Sequence, residues 1–139
     1  MDLFMPPPGR ETFRLDVTPT EQDFDELGHV NNVVYVRLAQ QAGTAHWLAR
    51  ASAAQQGKWL WVALRHEIDY RRPTQPGEAL ELTTWVGEPD GPRFDRFVSM
   101  QVPGADRWAA RSRTTWCLIE ADRRRPRRIA GDLLALFSK

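Results

Sequence analysis

Residues 33–50 read VVYVRLAQQAGTAHWLAR, and this stretch decides the fold because it holds the one long helical pattern of the chain. Residues three or four apart form a mainly apolar stripe: Val34, Leu38, Gln41, Ala42, Ala45 and Leu48. That spacing is typical of a single helix face. Other apolar residues lie outside the stripe, and Gly43 costs about 1 kcal/mol relative to alanine. We therefore predict a helix surrounded by other elements, with Gly43 letting a neighbouring backbone come close.

The segments around this helix have the pattern of strands. We predict strands at residues 11–18, 58–72, 79–88, 93–102 and 107–120. The last four are separated by PTQPGE, PDGP and PGAD, which contain turn-forming proline and glycine. Because such short connections favour hairpins, we expect an antiparallel meander. A five-stranded antiparallel sheet that curls around one long central helix is an α+β fold.

The predicted sheet has apolar residues on both faces. In the second strand, alternation puts on one face Leu60, Val62, Leu64, Ile68 and Tyr70, and on the other Trp59, Trp61 and Ala63. In the last strand it puts on one face Trp108, Ala110, Thr114, Trp116 and Leu118, and on the other Cys117 and Ile119. The helix covers one face, so we expect the other to meet a second copy of the chain. The result is a homo-oligomer, with dimer and tetramer both open.

Length and composition limit the classes of function. The chain has 139 residues and a mass of 16.0 kDa, which predicts one domain over residues 1–139 with residues 1–10 as a poorly ordered lead-in. A mean hydropathy of -0.52 and the lack of an apolar run near the roughly 20 residues of a membrane helix exclude a membrane span. The net charge of +1 gives no general attraction to nucleic acid. The single Cys117 excludes an intramolecular disulfide and a cysteine-rich zinc site, and with no secretion signal in the first residues we expect a cytoplasmic protein.

Residues 23–35, DFDELGHVNNVVY, concentrate reactive side chains immediately before the long helix. A helix N-terminus offers unpaired backbone N–H groups and about half a positive charge, so it binds phosphate or polarises a carbonyl. Asn31 or Asn32 is placed to cap the helix. A carboxylate beside such donors suits acyl transfer, and Asp25 is the natural candidate. The same cluster also fits ordinary turn and capping chemistry, and composition does not decide between the two.

The motif at residues 23–35 resembles the D-x-D-x-x-G-H-V-N-N-x-x-Y signature of hotdog-fold thioesterases of the 4-hydroxybenzoyl-CoA thioesterase type. The later segments HEIDYRRPTQPGEALELTTWV and IEADRRRPRRIAGDLLALF also resemble parts of that family, so the likeness covers roughly residues 13–137. It implies hydrolysis of an acyl thioester, usually acyl-CoA, with no metal or other cofactor.

The resemblance also implies individual roles. The family's catalytic acid falls on Asp25, as nucleophile or general base, while Asp23 supports the loop. The backbone N–H that polarises the carbonyl falls near Asn32. His29 stands at the place of a histidine that is proposed to be catalytic in plant acyl-carrier-protein thioesterases.

Two departures from the relatives bear on these roles. Leu27 replaces an asparagine of the plant enzymes, which weakens both a carrier-protein substrate and a catalytic His29. Gln40 stands where many relatives have a glutamate, and glutamine cannot ionise. A non-hydrolytic module that binds acyl-CoA or acyl carrier protein is therefore the alternative function.

Further residues are candidates for binding the substrate. We assign this role to Gly28, Val30, Asn31, Tyr35, Arg71, Arg125 and Arg128. The last two belong to RRRPRR at residues 123–128, which is either a solvated turn or a grip on CoA phosphates. The acyl chain is expected between helix and sheet or along a subunit boundary, with Trp47 and Trp59 or Trp61 as wall residues. His46 and His66 are expected to be hydrogen-bonded structural histidines.

Overall fold

The computed structural model describes residues 4–139, and residues 1–3, where the expected lead-in begins, lie outside it. The strands are β1 (Phe13–Val17), β2 (Trp59–Tyr70), β3 (Leu80–Val86), β4 (Arg93–Gln101) and β5 (Ala110–Glu120). The helices are α1 (Asn32–Arg50), α2 (Ala53–Lys58) and α3 (Gly131–Ala135), with a short 3-10 helix at Glu21–Asp23. Within the described range, no helix has the length and apolar character needed to cross a membrane.

The predicted long helix is confirmed as α1. It is capped by Asn31, whose side chain accepts a hydrogen bond from the Val33 N–H at 3.1 Å. Its buried face consists of Val34, Tyr35, Leu38, Ala39, Ala42, Gly43, His46 and Trp47. The predicted stripe was wrong at Gln41 and Leu48, which are exposed, and it omitted His46. A count of apolar residues misses a histidine whose ring nitrogens are hydrogen-bonded inside the core.

The sheet is antiparallel throughout, in the order β1-β3-β4-β5-β2. The expected hairpins join β3, β4 and β5, but the prediction of a complete meander is wrong because β2 pairs with β5 at the sheet edge. The connection at residues 71–79 crosses to the start of α1. There the Thr74 carbonyl accepts from the Val30 N–H at 3.2 Å, and the Thr74 hydroxyl lies 2.8 Å from the Tyr35 hydroxyl. These contacts hold the segment as a crossover connection, although its short length alone predicts a hairpin turn.

A β-bulge at Leu64 divides β2, because this residue has no partner on β5. The bulge reverses the alternation along the strand. Trp61 and Ile68 therefore both face α1, although strict alternation put them on opposite faces. The prediction that Ile68 shares a face with Leu60 and Val62 is wrong for this reason.

The sheet face that points away from α1 is partly covered by the N-terminal segment. Trp85 and Phe97 stack there with ring centroids 6.0 Å apart, and Phe4 packs edge-on against both rings. At the β2 edge, Val62 and Leu64 remain 42% and 53% exposed. This edge is one of the exposed apolar parts of the described surface.

Two apolar clusters fill the space between α1 and the sheet. The cluster around the first half of α1 includes Tyr35, Leu38, Leu82, Val98 and Met100. The cluster around its second half includes Trp47, Phe94, Leu118, Leu133 and Phe137. Residues 131–137, which include α3, supply the last two and close that end of the core. The sheet wrapped around one helix is the expected hotdog architecture.

Candidate active site

The loop before α1 is anchored by Asp23. This carboxylate is buried and accepts hydrogen bonds from the Thr20 N–H at 2.8 Å and from Arg37 Nη1 at 3.0 Å. The hydrogen bond from Arg37 lowers the pKa of the Asp23 carboxyl, against the effect of burial. The Asp23 carbonyl also accepts from the Asn31 N–H at 2.8 Å, which ties the loop to the helix cap. Asp23 therefore holds the loop in place.

Asp25 projects from the middle of this loop and is exposed. Its Oδ1 accepts from the Leu27 N–H at 2.9 Å and from the His29 N–H at 3.2 Å. Gly28, with φ at +76°, provides the left-handed turn that brings these N–H groups back toward the carboxylate. Oδ2 makes no hydrogen bond to any described residue. Asp25 is thus a turn residue with one oxygen free for chemistry.

The start of α1 leaves one backbone N–H without a partner among the described residues. The Val33 N–H is taken by the Asn31 side chain, and the Val34 N–H by the Asn31 carbonyl. The Asn32 N–H makes no hydrogen bond to a described residue. It points out of a helix N-terminus, where the partial positive charge favours an oxyanion.

Asp25 and the helix start line one cleft of about 450 Å³. The cleft brings together most of the predicted site residues: Asp25, His29, Val30, Asn31, Asn32, Tyr35 and Arg71. Its other lining residues are Leu27, Tyr70, Arg72 and Pro73. Gly28 shapes the loop without lining the cleft. Residues 71–73 at the start of the crossover form the opposite wall. The site therefore depends on a connection that the sequence patterns did not predict.

Tyr70 is a site residue that sequence patterns did not identify. Its hydroxyl donates to the Asn32 carbonyl at 3.2 Å, and its ring meets Tyr35 edge-on at 5.5 Å. The sequence presents Tyr70 only as the last apolar residue of a strand face. The sequence signal that could have identified Tyr70 is its hydroxyl at the strand end, because a tyrosine places a polar group beyond an apolar ring.

The cleft contains one arginine without an acidic partner. Arg72 is paired with Glu78 through two hydrogen bonds of 3.0 and 2.8 Å, which neutralise its charge. Arg71 is exposed, makes no ion pair with a described residue, and lies 5.6 Å from the Trp108 ring. Of the two arginines, Arg71 is the cation available to an anionic group in the cleft.

The arginine run at residues 123–128 lies at the other end of the sheet. It follows β5, where Glu120 pairs with Trp59, whereas the Asp25 cleft lies where Tyr70 pairs with Ala110. That separation along β5 is roughly 33 Å at about 3.3 Å per residue. Within one chain the structure therefore does not bring Arg125 or Arg128 to the cleft. All six residues of the run are exposed.

The two other histidines are hydrogen-bonded. His46 is buried, and burial together with the nearby Arg96 lowers its pKa to about 4. His66 Nδ1 lies 2.8 Å from the Thr114 hydroxyl, and its Nε2 lies 3.4 Å from Gln40 Nε2. Across residues 4–139, no group of three or more histidine, cysteine, aspartate or glutamate side chains is arranged to hold a metal ion.

The architecture and the loop at the N-terminus of α1 define the class, a hotdog-fold protein of the thioesterase type. The sequence model of the thioesterase-like superfamily matches residues 17–137, so the chain belongs to that superfamily. No curated protein sequence matches it.

Solved thioesterase structures share the fold at low identity. A 1,4-dihydroxy-2-naphthoyl-CoA thioesterase from Synechocystis is 16% identical, with a TM-score of 0.78 over 91% of this chain and 95% of that one. A thioesterase from Thermus thermophilus, complexed with coenzyme A and Zn, is 21% identical, with a TM-score of 0.78 over 94% and 93%. The Dynemicin thioesterase is 14% identical, with a TM-score of 0.81 over 91% and 95%. At these identities the likeness establishes the fold.

Proposed function

We propose that the protein hydrolyses an acyl-CoA thioester to the free acid and CoA. The observation that carries this proposal is the shared cleft of Asp25 and Asn32, in which one carboxylate oxygen and one helix N–H have no hydrogen-bond partner among the described residues. Membership of the thioesterase-like superfamily supports it. So does the coenzyme A bound to the thioesterase from Thermus thermophilus.

The proposed chemistry needs few groups. The thioester carbonyl oxygen binds at the Asn32 N–H, which stabilises the oxyanion that forms as the carbonyl is attacked. Asp25 Oδ2 either attacks the carbonyl carbon, giving an anhydride that water then hydrolyses, or takes a proton from the attacking water. The CoA thiolate leaves in both routes. Because a thiolate is a good leaving group, a strong general acid such as a protonated His29 is not required.

Recognition of the nucleotide part is proposed for the exposed arginines. Arg71 is our first candidate for a CoA phosphate because it lines the cleft and has no acidic partner among the described residues. Arg125 and Arg128 remain candidates only in an oligomer, in which a second copy of the chain brings its arginine run to the cleft. We propose such an assembly, a dimer or a tetramer, on the basis of the open β2 edge.

The test is a thiol-release assay with purified protein on short, medium, long and aromatic acyl-CoAs. We expect saturable release of one thiol per acid formed with at least one of these classes. A protein that binds acyl-CoA in calorimetry but releases no thiol from any of them contradicts the proposal.

That outcome would instead support the non-hydrolytic binding module. Two observations favour this second candidate. Gln40 supplies no carboxylate from the helix, and two backbone N–H groups already occupy Asp25 Oδ1.

A further inference from the structure

The Tyr70 hydroxyl joins the end of β2 to the first turn of α1. It donates to the Asn32 carbonyl at 3.2 Å, across 38 positions of the chain. Asn32 is the first residue of α1, and Tyr70 is the last residue of β2. The N–H of Asn32 has no hydrogen-bond partner among the described residues. The hydrogen bond from Tyr70 therefore ties the sheet to the residue that carries this free N–H.

The peptide group before Asn32 is held by Asn31. The Asn31 N–H donates to the Asp23 carbonyl at 2.8 Å, and the Asn31 carbonyl accepts from the Val34 N–H at 2.9 Å. This carbonyl shares its planar peptide group with the free Asn32 N–H, so the two bonds set the direction of that N–H. They also polarise it, because hydrogen bonds in a chain strengthen one another.

The peptide group after Asn32 is held by Tyr70. Its carbonyl accepts from the Tyr70 hydroxyl, and its N–H, that of Val33, donates to Asn31 Oδ1 at 3.1 Å. The first residues of helices fray readily, and frayed peptide groups turn freely. Because both peptide groups of Asn32 are bonded, the start of α1 keeps one orientation. Tyr70 supplies the bond in this set that comes from the sheet.

The two tyrosines near this point make different contacts, although their rings meet edge-on at 5.5 Å. Tyr35 is 2% exposed, and its hydroxyl lies 2.8 Å from that of the buried Thr74. This contact belongs to the core. Tyr70 is 45% exposed and lines the Asp25 cleft. Its hydroxyl therefore bonds to the helix start from within the candidate active site.

The Tyr70 phenol keeps its proton at neutral pH. Partial burial, with a further contribution from Tyr35, raises the pKa of Tyr70 above its ordinary value of 10.0. A phenolate has no proton to donate and would repel the Asn32 carbonyl oxygen. The hydroxyl is therefore a donor, and its bond to Asn32 persists under the conditions in which activity is measured.

We propose that Tyr70 is a positioning residue, whose hydrogen bond to the Asn32 carbonyl holds the Asn32 N–H in the orientation that binds the thioester carbonyl oxygen. This inference rests on the proposed function, in which the Asn32 N–H stabilises the oxyanion. Such a donor is effective because its direction is fixed before the reaction, and a misplacement of about 1 Å costs up to about a hundredfold in rate. Tyr70 acts through Asn32 and not by contact with the reacting atoms.

Tyr70→Phe tests this role, because it removes the hydroxyl and keeps the ring that meets Tyr35. We expect kcat to fall about tenfold and KM to change by less than about twofold, since the misplaced N–H matters where the oxyanion forms. The melting temperature should change by no more than a few degrees, because one half-exposed hydrogen bond contributes little to stability. The matched control is Asp69→Asn, an exposed neighbour outside the cleft, which should keep wild-type kinetics.

A second measurement requires no turnover. NMR relaxation gives the order parameter of the Asn32 N–H, which is about 0.85 for rigid backbone and below about 0.6 for flexible backbone. We expect a rigid value in the wild-type protein and in Asp69→Asn, and a clearly lower value in Tyr70→Phe. The order parameter of Arg50, at the far end of α1, should be the same in all three proteins.

Three results would overturn the proposal. They are an unchanged Asn32 order parameter in Tyr70→Phe, a raised KM with unchanged kcat, and a kcat equal to that of Asp69→Asn. If the wild-type protein hydrolyses no acyl-CoA, the proposed function fails, and the order parameter still decides whether Tyr70 fixes the Asn32 N–H. The two proposals are therefore tested separately.

Discussion

The Asp25 side chain stabilises a turn with one carboxylate oxygen and presents the other to the cleft. Oδ1 holds the turn that Gly28 permits, while Oδ2 accepts from no residue in the range 4–139 and lies in the cleft at the start of α1. The capping interpretation and the catalytic interpretation of the motif are therefore compatible. The Asp25 turn could be located from sequence because the hydrogen bonds of its carboxylate reach only to Leu27 and His29 along the chain.

The Arg96 and His46 pair shows the opposite case. The two residues are 50 positions apart, and each is polar within an apolar pattern. Local periodicity predicts neither that they meet nor that Arg96 is buried. Such pairs depend on strand register and helix rotation, which alternation alone does not determine.

The neutral state of His46 makes stability depend on pH. The pKa of His46 falls from the ordinary 6.5 to about 4 in the folded protein. Between pH 6.5 and pH 4 the unfolded chain therefore binds more protons than the folded one, and stability is lost as the pH falls from 6.5. We expect a loss of about 2 kcal/mol between pH 6.5 and 5, at about 1.4 kcal/mol per pH unit. Urea unfolding across this range measures it. His46→Gln, which keeps a donor and an acceptor, should flatten this window, and an equally steep profile in that variant would refute the assignment.

Steady-state kinetics tests whether Arg71 or the arginine run at residues 123–128 binds a CoA phosphate. If Arg71 holds a CoA phosphate equally in the ground and transition states, Arg71→Gln raises KM several-fold and leaves kcat unchanged, with an effect on the order of 1 kcal/mol that shrinks as salt rises. The same test applies to a variant with glutamine at Arg124, Arg125, Arg127 and Arg128. A thioester lacking the nucleotide is the control substrate and should not respond. If a variant has an unchanged KM for acyl-CoA, the arginines replaced in it are solvated surface residues.

At the scale of elements, the sequence predicted every strand, the long helix and the hairpins between β3, β4 and β5, but not the place of β2 beside β5. Hydrophobic periodicity reports local conformation, so α1 and β1 to β5 were identified. The bulge at Leu64 and the crossover at residues 71–79 depend on tertiary contacts, including the bonds of Thr74 to Val30 and Tyr35. For that reason the loop side of the cleft was predictable, as was Arg71, whereas Tyr70 was not.

Helix α1 gives a prediction at this scale through Gly43. Alanine favours a helix by about 1 kcal/mol over glycine. At residue 43, however, its Cβ would crowd the buried Arg96, and overpacking of this kind costs about 1–3 kcal/mol. We expect Gly43→Ala to lose about 1 kcal/mol of unfolding free energy in urea.

The matched control is Gly57→Ala in α2, where nothing lies within 4 Å of the added Cβ. This substitution should stabilise the protein by up to about 1 kcal/mol. If Gly43→Ala stabilises as much as Gly57→Ala, Arg96 is not fixed against the helix.

At the scale of the whole molecule, one helix covers one face of the sheet, and β2 forms an edge that pairs only with β5 among the described strands. Exposed apolar side chains, including Val62 and Leu64, follow that edge. Such an edge favours association with another copy. We expect light scattering at micromolar concentration to give a mass of a dimer or tetramer. A mass of 16.0 kDa, that of one chain, would contradict the assembly and would leave Arg125 and Arg128 without a route to the cleft.

The most direct test of the central claim is the thioesterase activity of Asp25→Asn. Asparagine keeps an Oδ1 that accepts from the Leu27 and His29 N–H groups, so the loop should stay folded while the ionisable group is lost. We predict a fall in kcat/KM of at least about a hundredfold with an unchanged melting temperature. Glu26→Gln, the exposed neighbouring acid outside the cleft, should stay near wild type. A folded Asp25→Asn protein with near-wild-type turnover would contradict the account.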